Sequence, residues 1–266
     1  GRARLAGQMA VSLNNCRQIM IGFASYRHEQ KDELPLRLSY QQSGQFGGAD
    51  SWSYGGKNNH VDWENPSWSG GSEVHDEPPY TRLLNPYLYG TLDIPEPDGY
   101  RGFVREGSEL RFYKGMVTPE DRENLEMTAF RSPGDKLSYQ RRWPLPNPNG
   151  ISSYEDVGTS YHTILRWLWE IEGDFVVSEE GFREGMRRMR MAESFDPRFV
   201  VLHDQTADLV ANSDPDIPDP NDRASYMGEF GDKNKSVMSF GDGRAEYILM
   251  MPGEMSGDRY NFHFTF

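Results

Sequence analysis

Residues 232–249 read Asp232-Lys-Asn-Lys-Ser-Val-Met-Ser-Phe240-Gly241-Asp242-Gly243-Arg-Ala-Glu-Tyr-Ile-Leu249. Asp242-Gly243 separates two runs with strand-like alternation, Val237-Met-Ser-Phe240 and Ala245-Glu-Tyr-Ile-Leu249. Asp-Gly between alternating apolar runs is the strongest short-range hairpin signal, because a type I′ turn needs positive φ at both central residues. The expectation is a closing β-hairpin with Asp242 and Gly243 both at positive φ.

At the other end, residues 9–26 predict a helix. Met9, Leu13, Cys16, Met20 and Phe23 recur at alternating spacings of four and three, with Ile19 and Tyr26 alongside. That is one face of an amphipathic helix, broad enough to pack on a sheet. Leu34-Pro35 follows, and a residue before proline is pushed out of the helical region, so the helix spans residues 2 to about 31.

These two segments and three between them resemble landmarks of the bacterial type IV pilin-like and type II secretion pseudopilin-like family. Asn14-Asn15-Cys16-Arg17-Gln18-Ile19, leading through Tyr26 to Leu34-Pro35, is similar to the segment that follows the membrane helix of prepilin-type proteins. Leu83-Leu84-Asn85-Pro86-Tyr87-Leu88 is similar to a Leu-x-Pro-Tyr-Leu element. Phe130-Arg131-Ser132-Pro133-Gly134-Asp135 resembles a Phe-x-Cys-Pro-x-Asp turn, with Ser132 in place of Cys. Phe199-Val200-Val201-Leu202-His203-Asp204 is like the strand ending in Asp that precedes the last hairpin. The hairpin itself resembles a closing His-x9-Asp-Gly signature, with Asp232 where the His stands.

The resemblance implies an α+β, pilin-like fold: a long N-terminal helix packed on a small antiparallel sheet, with large loop insertions. It implies one domain over 1–266, divided into the helix (2–31), a decorated insertion region (39–198) and the C-terminal sheet and hairpin (199–266). It further implies a non-enzymatic structural subunit of a pilus or pseudopilus. Such a subunit is anchored in the inner membrane facing the periplasm, or exposed on a surface filament, and its partners are other subunits. Asn14, Asn15, Gln18, Pro86, Tyr87, Pro133, Asp135, Asp204, Asp232, Asp242 and Gly243 are then structural determinants.

Composition fits a loop-rich globular chain. It has 266 residues with 27 Gly and 17 Pro, while 13% aromatic residues supply core material. The net charge of -13 argues against nucleic acid or an anionic membrane surface as a partner, since phosphate is bound by concentrated Lys and Arg. The basic run Arg183 to Arg190 is flanked by acids and reads as a solvated helix face. One cysteine excludes an intramolecular disulfide, and Cys16 on the apolar stripe reads as a buried small hydrophobe. No run approaches the ~20 apolar residues that cross a bilayer. The opening Gly1-Arg2-Ala3-Arg4 starts part-way into a helix, so a membrane helix is expected before Arg2, with Gly1 a tag remnant.

Between the ends, residues 39–79 are rich in Gly, Ser, Asn and Trp and read as mostly irregular. Residues 80–88 read as a short helix or turn, 100–113 as a hairpin around Gly107, and 133–148 as Pro-rich loop. Residues 160–168 read as extended, then helical; 179–191 as amphipathic helix; and 200–202 as strand. Residues 208–222 read as an acidic loop.

Candidate chemistry is sparse. There is no phosphate loop, no Gly-x-Ser-x-Gly and no Cys-x-x-Cys, and His28-Glu29 lacks the second His of a zinc-protease helix. His203-Asp204 are neighbours on a strand and face opposite ways. Glu179-Glu180 are adjacent on a helix and do not converge on one substrate. Asp214, Asp216, Asp219 and Asp222 offer closely spaced oxygens suited to Ca²⁺, without EF-hand spacing; the competing reading is a solvated acidic loop. Trp52, Trp63 and Trp68 lie in Gly/Ser-rich loop, either as stacking faces for a glycan or a protein, or as a mini-core. The alternative function is therefore a secreted or anchored carbohydrate-binding module.

Overall fold

A computed structural model describes residues 1–31, 33–36, 38–40, 46–60, 79, 82–90, 102–106, 109–113, 125–141, 145–147, 149–171, 173, 178–213 and 226–264. Helix α1 runs Arg2–Glu29. Gln30 closes it by donating to the Tyr26 carbonyl, and Lys31 at φ 53 turns the chain away before Pro35. Its stripe faces inward as the spacing predicts. Cys16, Ile19, Met20 and Phe23 are buried, and Met9, Leu13 and Tyr26 lie half-buried against the same core.

The sheet beneath α1 has four antiparallel strands in the order β5 (Tyr161–Thr163), β6 (Val200–Asp204), β7 (Lys235–Phe240), β8 (Ala245–Leu249). The alternation of the last two strands fixes their register, with Val237 opposite Tyr247 and Ser239 opposite Ala245. Two separate antiparallel pairs precede it: β1 (Leu38–Tyr40) with β2 (Phe46–Ala49), and β3 (Gly102–Glu106) with β4 (Glu109–Tyr113). The second pair falls where the sequence places it. The first is a correction, because a region read as irregular holds two short strands with a register shift.

Among the described residues five further α-helices follow, α2 (Asn85–Leu88), α3 (Ser153–Val157), α4 (Arg166–Ile171), α5 (Glu179–Phe195) and α6 (Gln205–Ala211), with a 3-10 turn at Thr128–Phe130. The molecule is thus mixed α+β. Among the described residues no helix is long and apolar enough to cross a membrane. Side chains from distant segments close the core over α1. Phe23 packs against Tyr54 at 5.5 Å, and Tyr54 meets Phe130 edge-on at 6.0 Å. At Gly22 the absent side chain lets Leu88 approach; a Cβ there would lie 3.2 Å from Leu88 Cδ2.

The closing turn differs in type from the expected one. Only Gly243 of the pair has positive φ, at 83. Gly243 N donates to the Phe240 carbonyl at 2.9 Å and Phe240 N to the Arg244 carbonyl at 3.1 Å. The connection is therefore the three-residue loop Gly241-Asp242-Gly243, with glycine in the left-handed position. Asp242 serves instead as acceptor, from Arg244 N at 3.1 Å and the Arg244 guanidinium at 3.1 Å.

Two stability outcomes follow. Phe23→Asp buries an unpaired charge and should cost several kcal/mol, roughly 3 or more, whereas Leu13→Asp, half-buried, should cost less. Chemical denaturation reads both, and equal midpoints with wild type would mean that the stripe is not core. Gly243→Val should cost on the order of 1–2 kcal/mol by forcing a β-branched residue to positive φ. Gly243→Asn, which tolerates positive φ and has open space around it, is the comparison and should cost less.

Candidate functional site

Among the described residues two groups of buried polar side chains adjoin the β5–β6 pair. The first is a seam of carboxylates and hydroxyls. β6 ends in Asp204, which is fully buried. Its Oδ1 accepts from Thr206 N at 3.0 Å and Ser236 Oγ at 2.6 Å, and its Oδ2 from Val237 N at 2.8 Å. Asp135 does the same for α3, accepting from Ser153 N at 2.9 Å, Tyr154 N at 2.8 Å and Ser160 Oγ at 2.6 Å. Ser160 Oγ also lies 2.9 Å from Ser132 N, which donates to it, and the Ser132 hydroxyl donates to Glu229. From α1, Asn15 Nδ2 reaches the carbonyls of Thr128 and Arg131 at 3.1 and 2.8 Å.

Burial dominates the electrostatics of this seam. It raises the Asp135 carboxyl to about 6 against the pull of its three donors, with the Asp204 charge adding to the rise. Asp204 is raised by the same burial. Glu229, with Ser132 as its hydrogen bond and two acids nearby, is pushed well above the usual carboxylate range.

The second cluster lies on the facing strand positions His162 and His203, which pair across β5 and β6. The two rings stack at 6.4 Å. His162 Nδ1 lies 2.9 Å from Ser51 Oγ and its Nε2 2.9 Å from Ser153 Oγ. A hydroxyl against an imidazole has the form of a nucleophile and its base. Here both serines and both histidines are buried. Burial, with His203 behind it, lowers His162 to about 3. So weak a base does not activate a hydroxyl at neutral pH; the two serines satisfy both His162 nitrogens, while His203 Nε2 lies 3.7 Å from Asp208 Oδ1. His203 Nδ1 bonds the Asp204 carbonyl at 2.9 Å while the Asp204 carboxyl turns to β7, so the two side chains diverge as expected.

The predicted determinants divide by burial. Asn15, Asp135 and Asp204 hold segments together, as above. Tyr87 donates to Glu29 Oε2 at 2.9 Å and packs edge-on to Tyr26 at 5.4 Å. Asn14, Gln18 and Pro86 are exposed, and Pro133 is half-buried. Asp232 is exposed, with Lys235 Nζ at 3.6 Å. Trp52 is a correction to the reading of an exposed stacking face: it is buried against Val157 and edge-on to His162. Trp63, Trp68, Asp214, Asp216, Asp219 and Asp222 lie outside the described residues. Asp208, read as the start of the acidic loop, belongs to α6. Among the described residues no group of three or more His, Cys, Asp or Glu side chains is placed to hold a metal. Glu179 and Glu180 occupy the first turn of α5, behind the Ser178 cap.

Sequence reasoning missed Arg82. It is fully buried and donates to the carbonyls of Trp52, Gly55 and Val157 at 3.2, 2.8 and 3.0 Å and to Asn59 Oδ1 at 2.6 Å. Asn85 adds Gly56 N and O, both at 2.8 Å. The Arg-x-x-Asn spacing preceding α2 carries no signal that the guanidinium points inward. No protein-family model, curated protein or solved structure matches this chain.

The two clusters titrate with opposite sign. A carboxyl raised in the folded state stabilises it most below its unfolded value, near 4, and that gain is lost as pH rises through 6. A histidine lowered in the folded state stabilises it above about 6.5, and that gain is lost as pH falls toward 3. Relative to Asp135→Asn, wild type should gain up to about 3 kcal/mol between pH 7 and pH 4. Relative to His162→Gln, it should lose stability over the same range. Urea titrations at several pH values give both differences, and parallel profiles would refute the assignment.

Proposed function

We propose that the chain is a pilin-like structural subunit, anchored through a helix continuous with α1 and assembled into a pilus or a type II secretion-like pseudopilus. The carrying observation is that α1 lies along a four-stranded antiparallel sheet closed by the Gly241-Asp242-Gly243 hairpin, while the family-like motif residues join these elements. Asn15 ties α1 to the 128–131 segment, Asp135 ties that segment to α3, and Asp204 ties β6 to β7. Motifs that are short and separate in sequence thus converge on one structural job. Residues 2–7 of α1 stand exposed. Periplasmic or surface localisation, and partnership with other subunits, belong to the same proposal. The carbohydrate-module reading loses Trp52 to the interior.

The full-length gene product, expressed in its host, should label filaments or membrane-attached fibres by immunogold electron microscopy with antibody to this chain. Deleting the host's prepilin peptidase should leave an unprocessed, larger species and abolish the fibres. A soluble product unaffected by the deletion would overturn the proposal.

A further inference from the structure

The chain is acidic overall, but its charge is unevenly placed. Helix α1 carries Arg2, Arg4, Arg17 and Arg27 and no acid before Glu29. Its exposed first turns meet the body at the loop 226–235. Leu5 lies against that loop, where a Cβ added to Gly231 would sit 3.8 Å from Leu5 Cδ1. The loop also gathers one end of the sheet. Met227 bridges to Lys233, Asn234 N donates to the Tyr226 carbonyl at 2.7 Å, Met250 N donates to the Asn234 carbonyl at 2.8 Å, and Lys235 pairs with Leu249.

Long apolar side chains are exposed around this loop: Leu5 38%, Met227 62%, Leu249 59% and Met251 55%. Arg2 and Arg4 are exposed in the same first turns as Leu5, and Lys235 faces Leu249 across β7 and β8. The described acids nearby are Asp232, paired with Lys235, and Glu254, whose N–H donates to the Met251 carbonyl at 3.1 Å; Glu229 is turned inward onto Ser132.

We infer that this end of the molecule, formed by the first turns of α1 and the loop 226–235 with Leu249 and Met251, docks on an anionic bilayer surface. The inference deepens the anchored-subunit proposal and rests on it for the presence of a bilayer at the N-terminal end of α1. Basic residues interleaved with separate, flexible Leu and Met side chains suit an interfacial layer, where heads meet phosphate and tails enter the headgroup boundary. The negative charge of the rest of the chain does not prevent this, because fields are screened within about 8–10 Å at ordinary salt.

Cosedimentation of the intact 266-residue chain with sucrose-loaded vesicles tests it. Binding to phosphatidylglycerol-rich vesicles, absent on pure phosphatidylcholine and weakened by salt, is expected. Arg2→Ser, Arg4→Ser and Lys235→Ser should each cost roughly fivefold in partitioning, and Leu249→Ser/Met251→Ser should weaken binding at unchanged charge. Arg183→Ser, an exposed cation on α5, should leave binding unchanged. No binding, or equal loss on Arg183→Ser, overturns the inference without touching the filament test. If vesicles do not bind and the same patch variants abolish self-association in sedimentation velocity, the patch is a protein interface and the inference is likewise overturned.

Discussion

A carboxylate taken out of water has to be met by donors, and Asp204 is where that requirement organises the fold. At this one residue a strand ends, a helix begins and a neighbouring strand is brought into register. Thr206 N is the first free donor of α6, while Ser236 Oγ and Val237 N belong to β7. Losing the donors of either partner element would leave the carboxyl under-satisfied, at a cost of about 1–3 kcal/mol. Asp135 repeats the device at the start of α3. The Ser160–Ser132–Glu229 chain joins these acids, so that Asp204 raises Asp135 and both raise Glu229. Burial, more than any one contact, thus raises the carboxyls of the seam.

Large insertions are held to this scaffold by backbone recognition in place of strand pairing. Arg82 and Asn85 satisfy carbonyls of residues 52–56 and 157 that no ladder reaches. Glycine makes the approach possible. Lys57 N donates to the Gly158 carbonyl at 3.0 Å, and a Cβ at Gly158, which has φ 86, would fall 2.0 Å from the Lys57 carbonyl. A segment with no regular structure can in this way be as buried as a strand, and Tyr54 and Trp52 enter the interior from it.

What was legible in the sequence was what periodicity writes. The α1 stripe, the α5 helix, the extended-then-helical change at 161–171 and the final hairpin all repeat apolar residues at a fixed spacing. The turn type was not legible, because Asp242-Gly243 fits both a two-residue and a three-residue loop, and Gly241 ahead of it selects the longer. α6 escaped because its short apolar run, Ala207 to Ala211, merges into the acidic stretch after it. At the site, Asp135 and Asp204 were marked by motif, but their partners Ser153, Ser160 and Ser236 come from elsewhere in the chain. Serines and a buried arginine are ordinary surface residues by composition, and only tertiary contact turns them inward. Trp52 was left between a stacking face and a mini-core because Gly/Ser-rich surroundings fit both, and its packing on Val157 selects the second.

The two long helices show how differently the chain treats its surfaces. On α5 the outward side is laced with pairs, Glu184 to Arg187 at 2.7 Å and to Arg188 at 2.8 Å, the pattern of a helix at home in water. The outward side of α1 carries Val11 at 50% and Ile21 at 66% exposure among Ala10, Asn14, Gln18 and Ala24, with no acid on the helix itself before Glu29, although Arg27 pairs with Glu193 of α5 at 2.6 Å. Both helices bury an apolar face equally well, so folding alone does not require this contrast. Assembly through α1 would require it, because acids along that face would repel the acidic body of a neighbouring copy and ion pairs would have to be stripped of water on contact. Among the described residues the His162–His203 pair and the Asp204 carboxyl lie in the interior, while Val11 and Ile21 leave apolar surface along the first helix.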